Sequence, residues 1–530
     1  MNQILVNSLL LAAYFSVLIA IGCMCRKRAA DVNGFVLGGR SVGPWLTAFA
    51  YGTSYFSAVV FVGYAGQFGW RYGISATWAG IGNALIGSLL AWAVLGRRTR
   101  IMTQHLDSAT MPDFFAKRFG SPSLKLMASA IIFVFLIPYT ASLYNGLSRL
   151  FGMAFSIDYA WCIVIMSILT AIYVIAGGYM ATAINDFIQG IVMLVGISAV
   201  IWAILDSNGG LLASLDGLAR IPGPATIPGG EPTPGIFASF LGPDPLNLMF
   251  VVILTSLGTW GLPQMVQKFY AIKNEGSIKK GTMISTIFAF VVAGGCYFLG
   301  GFGRLFSGVL DVGPNGIPAG GFDAIIPKML EGLSPMLIAL VVVLVLSASM
   351  STLSSLVITS SSTFTIDFIN GTVVKKMSDR SQVLCIRALI VVFIAISAVL
   401  ALVQYKSSSP IAFIAQMMGV SWGAMAGAFL APFMYSLYSR NVSAASCWAC
   451  FILAPAFTLV GVFCRDAMPD ILKSPINTGA LAMLGGLVVV PVVSMFTRKP
   501  PKELVDGSFA CYQKTTVVMQ STALGAETVK

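Results

Sequence analysis

The sequence predicts an all-α integral membrane protein of about thirteen transmembrane helices, and three observations carry that expectation. Of the 530 residues, 57% are hydrophobic and only 10% charged, a composition foreign to a water-soluble chain of this size. About thirteen apolar runs reach the roughly 20 residues a helix needs to cross a hydrocarbon core about 30 Å thick. The basic residues collect in alternate connections, as the positive-inside rule requires.

In order, the spans are expected at 4–25, 42–69, 74–95, 126–148, 157–177, 185–205, 246–265, 283–303, 335–366, 383–404, 410–437, 444–464 and 478–497. The first is followed by Arg26-Lys27-Arg28 and not by a small-residue cleavage site, so it reads as a span and not a leader. An odd number of spans puts the termini on opposite sides. With the N-terminus outside, the inside segments hold 24 of the 32 basic residues, among them Arg97, Arg98 and Arg100 after the third span and Lys268, Lys273, Lys279 and Lys280 after the seventh. The N-terminus is therefore expected outside, and the C-terminus in the cytoplasm beneath a plasma or inner membrane. The net charge of +12 becomes a matter of topology. A nucleic-acid partner loses its support, and the lipid bilayer is the partner the composition demands.

The connection 206–247, with IPGPATIPGGEPTPG, reads as an irregular external loop. Between the third and fourth spans, MPDFFAKRF reads as a short interfacial helix with Phe114, Phe115 and Phe119 towards lipid. Cys447 and Cys450 form a CxxC inside an apolar helix without a second pair, a weak metal signal. His105 is the one histidine, and neither HExxH nor GxSxG occurs, so no enzyme is expected. After Pro501 the tail is short and polar, which argues against a signalling receptor with an attached catalytic domain. No obligate protein partner is evident.

Two spans carry helix-breaking sequence at their middles: Ala50-Tyr51-Gly52-Thr53-Ser54 in the second and Gly258-Thr259-Trp260-Gly261-Leu262-Pro263 in the seventh. Unwound backbone at membrane depth is costly unless it lines a cavity or binds something. The two breaks sit five spans apart, the spacing of five-plus-five inverted repeats that share a midplane site. The ninth span adds SASMSTLSSLVITSSSTFTID, in which Ser347, Ser351, Ser354, Ser355 and Ser362 share one helical stripe. Such hydroxyls suit a monovalent cation, but the stripe by itself reads first as close packing between helices.

GGRSVGPWLTAFAYGTSYFSAVVFVG (38–63), SASMSTLSS (347–355), AINDFIQG (183–190) and GLPQ (261–264) resemble the sodium:solute symporter family over nearly the whole chain. The resemblance implies a LeuT-like five-plus-five fold and sodium-driven uptake of a small organic solute by alternating access, with Na+ the coupling ion. Carried over by position, a main sodium site takes the carbonyls of Thr53, Phe56 and Ala348 and the hydroxyls of Ser351 and Thr352. A second sodium site takes Asp186, Ser351, Ser354 and Ser355; Asn185 and Asp186 also read as helix N-terminal residues. The solute pocket takes Ser54, Tyr55, Ser57, Tyr139, Thr259 and Trp260.

Tyr139, in PYTAS, resembles the proline branch, which carries an acidic residue where Tyr55 stands and tryptophans where Val59 and Thr255 stand. The resemblance therefore points first to a carboxylate such as pantothenate or a monocarboxylate. Proline, another amino acid or a sugar is the alternative, and a solute-sensing receptor the alternative class. The expected divisions are 1–40 (first span and inner loop), 41–206 (first repeat), 207–245 (external loop), 246–440 (second repeat), 441–500 (spans twelve and thirteen) and 501–530 (tail).

Overall fold

The computed structural model describes residues 3–155, 158–223, 233–313, 316–318, 320–405, 414–512, 518–522 and 525–529. Almost all of these are helical; a two-stranded hairpin, Val518–Thr522 with Gly525–Val529, lies in the tail. Among the described residues, ten helices are long and apolar enough to cross a membrane, or eleven with the bent pair Pro245–Gly261 and Pro263–Ala271 as one span. Two of these, Val59–His105 and Tyr159–Ser207, run to 47 and 49 residues. At 1.5 Å per residue each would be roughly 70 Å long, about twice the membrane core, so each holds two spans. The reversals fall at Gly73 and Gly178, whose φ values of 63° and 58° belong to the left-handed region. Thirteen spans result among the described residues, as the sequence predicts.

The second span is Pro44–Tyr55 followed, after an extended Phe56, by helix from Val59 to Tyr72. The seventh breaks at Leu262, also extended, and bends there by 45°. The ninth, Pro335–Thr363, runs on to Val373 and packs against the fourth, the fifth-to-sixth pair and the second. Spans eleven to thirteen, Ile414–Tyr438, Ala444–Phe463 and Pro475–Phe496, pack on one another, and the eleventh and thirteenth also pack on the seventh.

Three expectations need correction. The short helix Met111–Phe119 forms, capped by the Thr110 hydroxyl, but its phenylalanines face protein and not lipid. Phe114 and Phe115 are fully buried, 5.0 Å from Phe433 and 5.2 Å from Phe451 between ring centroids. Buried aromatics gain edge-to-face contacts that lipid does not supply. The loop 206–247 is partly regular, with a helix at Leu211–Ala219; residues 224–232 of its Pro/Gly run lie outside the described residues. The seventh span extends past its expected end at 265 to Ala271, which carries Lys268 into the protein.

The face bearing the 207–245 connection holds a vestibule of about 650 Å³, lined by Arg71, Asp244, Gln416, Lys473 and Asn477 among others. The opposite, basic face is sealed. Val42 bridges Ile272 through Val42 N to Ala271 O (3.2 Å) and Lys273 N to Val42 O (2.9 Å). Asp367 accepts from Thr110 Oγ1 at 2.6 Å and pairs with Lys125 at 3.2 Å. The tail helix Lys502–Phe509 docks on that face, with Phe509 5% exposed beneath the guanidinium groups of Arg118 and Arg440.

Candidate functional site

The last carbonyls of a helix have no intrahelical partner. At the end of Pro44–Tyr55 only Gly52 O is taken back, by Phe56 N. The Thr53 carbonyl thus has no backbone partner and is open to side chains of a neighbouring span, and extended Phe56 turns its own carbonyl to the same side. The break lies two residues beyond the expected Ala50–Ser54. Gly52 serves close packing instead, since a Cβ there would meet the Phe288 ring at 2.4 Å.

The ninth span supplies the facing oxygens. Ser351 Oγ lies 3.1 Å from Thr53 O and 3.0 Å from Ala348 O. Thr352 Oγ1 lies 3.1 Å from Thr53 O, 3.2 Å from Phe56 O and 3.1 Å from Ala348 O. All five residues expected at the main site therefore meet in one cluster, and each is 0% exposed. Five neutral oxygens drawn from two spans can replace the hydration shell of a monovalent cation without burying a carboxylate beside it.

The second set is arranged otherwise. Ser354 Oγ is turned back to Ser351 O at 2.8 Å. Ser355 Oγ lies 2.8 Å from Ser54 Oγ and accepts from Lys268 Nζ at 3.0 Å. Asp186 is 0% exposed, and neither carboxylate oxygen has a hydrogen-bond partner.

Of the six residues expected to line the solute pocket, four spend their polar atoms within the protein. Ser54 binds Ser355 as above and donates to Ala50 O; Ser57 Oγ caps Val59 N at 3.2 Å. Thr259 Oγ1 donates to Gly87 O at 3.0 Å and Trp260 Nε1 to Ile86 O at 2.9 Å. These carbonyls belong to a π-helical stretch of the third span, Asn83–Leu90, where the altered backbone pattern leaves acceptors available. Tyr51 OH joins them at Gly87 O, 2.8 Å away, so the third span ties both broken helices together. The Tyr55 side chain lies outside the described residues.

Tyr139 keeps an unpartnered hydroxyl. Its ring meets Trp422 of the eleventh span edge-on at 6.0 Å; Trp422 Nε1 interacts weakly with the Tyr139 hydroxyl, and neither atom makes a well-formed hydrogen bond. Tyr64 lies within electrostatic range of Tyr139 and Tyr297, and these two further hydroxyls are also unpartnered. A group of buried donors without partners is where a solute's acceptors would be held. Trp422, Tyr64 and Tyr297 escaped the sequence reading because aromatic residues in spans look like ordinary core. Lys268 had a visible signal: PQMVQKFYA contains no breaker after its proline, so the helix had no reason to stop at 265.

Comparison with known proteins identifies the family and the fold. The model of the sodium:solute symporter family matches residues 35–454. The chain belongs to the sodium:solute symporter family. The symporter is 28% identical over 498 residues to the osmoregulated proline transporter OpuE of Bacillus subtilis, covering 93% of this chain and 95% of that one. It is also 28% identical to sodium/proline symporter 2 of Staphylococcus saprophyticus, covering 93% of each. Among solved structures, a Na+-coupled sialic acid symporter in a substrate-bound outward-open state matches with a TM-score of 0.72 at 17% identity, covering 93% of this chain and 98% of that one. MhsT in complex with L-phenylalanine matches with a TM-score of 0.52 at 12% identity, covering 85% and 97%. The two structures share the fold. The pantothenate and monocarboxylate expectation finds no specific support among these relatives, whereas the proline alternative does.

Proposed function

We propose that this symporter imports a small amino acid, with proline the first to test, driven by sodium bound at Thr53, Phe56, Ala348, Ser351 and Thr352. The observation that carries the reading is the meeting of those five oxygens across the break in the second span, where the Ser351 and Thr352 hydroxyls lie 3.0–3.2 Å from the carbonyls they face. Sodium there links the second and ninth spans, so its binding favours whichever conformation holds the two together. An inside-negative potential then adds about 2.3 kcal/mol per charge per 100 mV.

Residues 41–206 and 246–440 form the two repeats, the loop face is outside and the tail is cytoplasmic beneath the plasma membrane. An open vestibule on the loop face and a sealed basic face fit a conformation open to the outside. The relatives named for proline support the solute class, and the buried donors of Tyr139, Tyr64, Tyr297 and Trp422 suit a solute carboxylate. Tyr55, Val59 and Thr255 set this pocket apart from that of the proline branch, and a related zwitterion is the second solute to test.

The test is uptake into proteoliposomes under an imposed sodium gradient, with labelled proline, other small amino acids, pantothenate, short monocarboxylates and sugars. Sodium-dependent accumulation of an amino acid is expected. Accumulation of a monocarboxylate or pantothenate alone overturns the solute proposal, and uptake indifferent to sodium overturns the coupling.

A further inference from the structure

Lys268 lies on the second half of the broken seventh span and is 1% exposed. Its ammonium donates to Ser355 Oγ at 3.0 Å and sits 5.0 Å over the ring of Tyr179. Through Ser355 it reaches Ser54 Oγ, beside the break in the second span. The opposite charge acting on it is Asp186, which is fully buried with both oxygens unpartnered. Tyr173 and Tyr179 lie within electrostatic range of the same carboxylate. No ion pair within 4.0 Å joins the two charges, so the carboxylate and the ammonium balance each other across a gap.

Ser355 and Asp186 are two of the groups expected around a second sodium ion, and the cation now among them is part of the chain. We propose that the Lys268 ammonium is a tethered cation filling the second cation position between Asp186 and Ser355, so that this symporter binds a single sodium ion per cycle. A buried carboxylate requires one compensating positive charge, and Lys268 already supplies it. A sodium ion entering as well would leave one excess positive charge in a low-dielectric site. At an effective dielectric constant of about 20, two like charges about 4 Å apart disfavour that entry about a thousandfold. Ser354 fits this arrangement, its hydroxyl being satisfied by its own backbone. The proposal rests on sodium occupying the main site.

The test counts sodium bound to purified protein, by equilibrium binding of labelled sodium in sodium-free detergent buffer, together with the sodium-to-solute flux ratio in proteoliposomes. The unsubstituted protein should bind about one sodium ion with a Hill coefficient near one, and K268Q about two with a coefficient above one, because the maximum coefficient is the number of sites. The double variant K268Q/D186N, with neither charge, should return to one ion. Two ions on the unsubstituted protein, or one ion on a folded K268Q, overturn the proposal. So does a K268Q that weakens solute binding at unchanged sodium count, which would make Lys268 a solute ligand. Should K268Q fail to fold, the count on the unsubstituted protein still decides. Absence of any bound sodium there would instead refute the main site on which the proposal rests.

Discussion

Thr352→Val removes one oxygen from the main cluster while keeping the side chain's size. Its Oγ1 lies 3.1 Å from Thr53 O, 3.2 Å from Phe56 O and 3.1 Å from Ala348 O, inside a fully buried site. A contact of this kind to a charged partner contributes about 1.5–3 kcal/mol. Each 1.4 kcal/mol is about tenfold, so sodium affinity should fall roughly 10- to 150-fold. The assay is the sodium dependence of solute uptake, paired with stabilisation of the solute-free protein by sodium. At a concentration about 100 times the parent dissociation constant, sodium adds about 2.7 kcal/mol of stability to the parent, and about 0.4 to a variant weakened about 100-fold. Ser349→Ala is the control: Ser349 is buried in the same helix, but its hydroxyl has no partner. If T352V keeps its sodium affinity within about threefold of the parent, or S349A weakens sodium equally, the cluster is a packing feature and the sodium assignment fails.

Phe115→Ala should destabilise the protein by about 3–5 kcal/mol in detergent unfolding, the cost of emptying a buried aromatic site; a change below about 1 kcal/mol would return Phe115 to the lipid face expected from sequence. Trp260→Phe removes the bond to Ile86 O and should cost about 1 kcal/mol of stability. It should also raise the solute KM, since it loosens the tie between the third and seventh spans; unchanged values for both would show that the tie does not hold the site. Asp367→Asn leaves Lys125 with Asp113 as its one remaining carboxylate at the sealed face and removes the charge that Thr110 and Lys125 meet there. Alkylation of a reporter cysteine introduced by T363C should then quicken about tenfold, an opening cost lowered by about 1.4 kcal/mol, and an unchanged rate would show that Asp367 does not hold that face shut.

The residues proposed for the main site could be placed from the family resemblance because the motifs that carry it are short-range: Thr53 and Phe56 sit three residues apart at one helix end, and Ala348, Ser351 and Thr352 occupy about one turn of the ninth span. The solute pocket was less legible. Ser54, Ser57, Thr259 and Trp260 have the right chemistry, but whether a hydroxyl faces a cavity or a neighbouring carbonyl depends on the packing partner, here Ser355 and the π-helical carbonyls of Ile86 and Gly87. The aromatic pair Tyr139 and Trp422 joins spans four and eleven, 283 residues apart in a sequence that gives no sign of their contact.

By itself the sequence determined the membrane class, the thirteen spans and the two broken helices, while the five oxygens proposed for the main site followed from the family resemblance. Composition, run length and the positions of Gly and Pro act locally, and the bilayer penalises any other arrangement of so apolar a chain. Only the tertiary structure decided which way Phe114 and Phe115 face, that the second helix breaks at Phe56, and that Lys268 lies buried beside Ser355. These depend on what each residue finds opposite it after folding: a buried charge such as Lys268 survives in the membrane interior because the fold brings it the Asp186 carboxylate, 82 residues away in sequence.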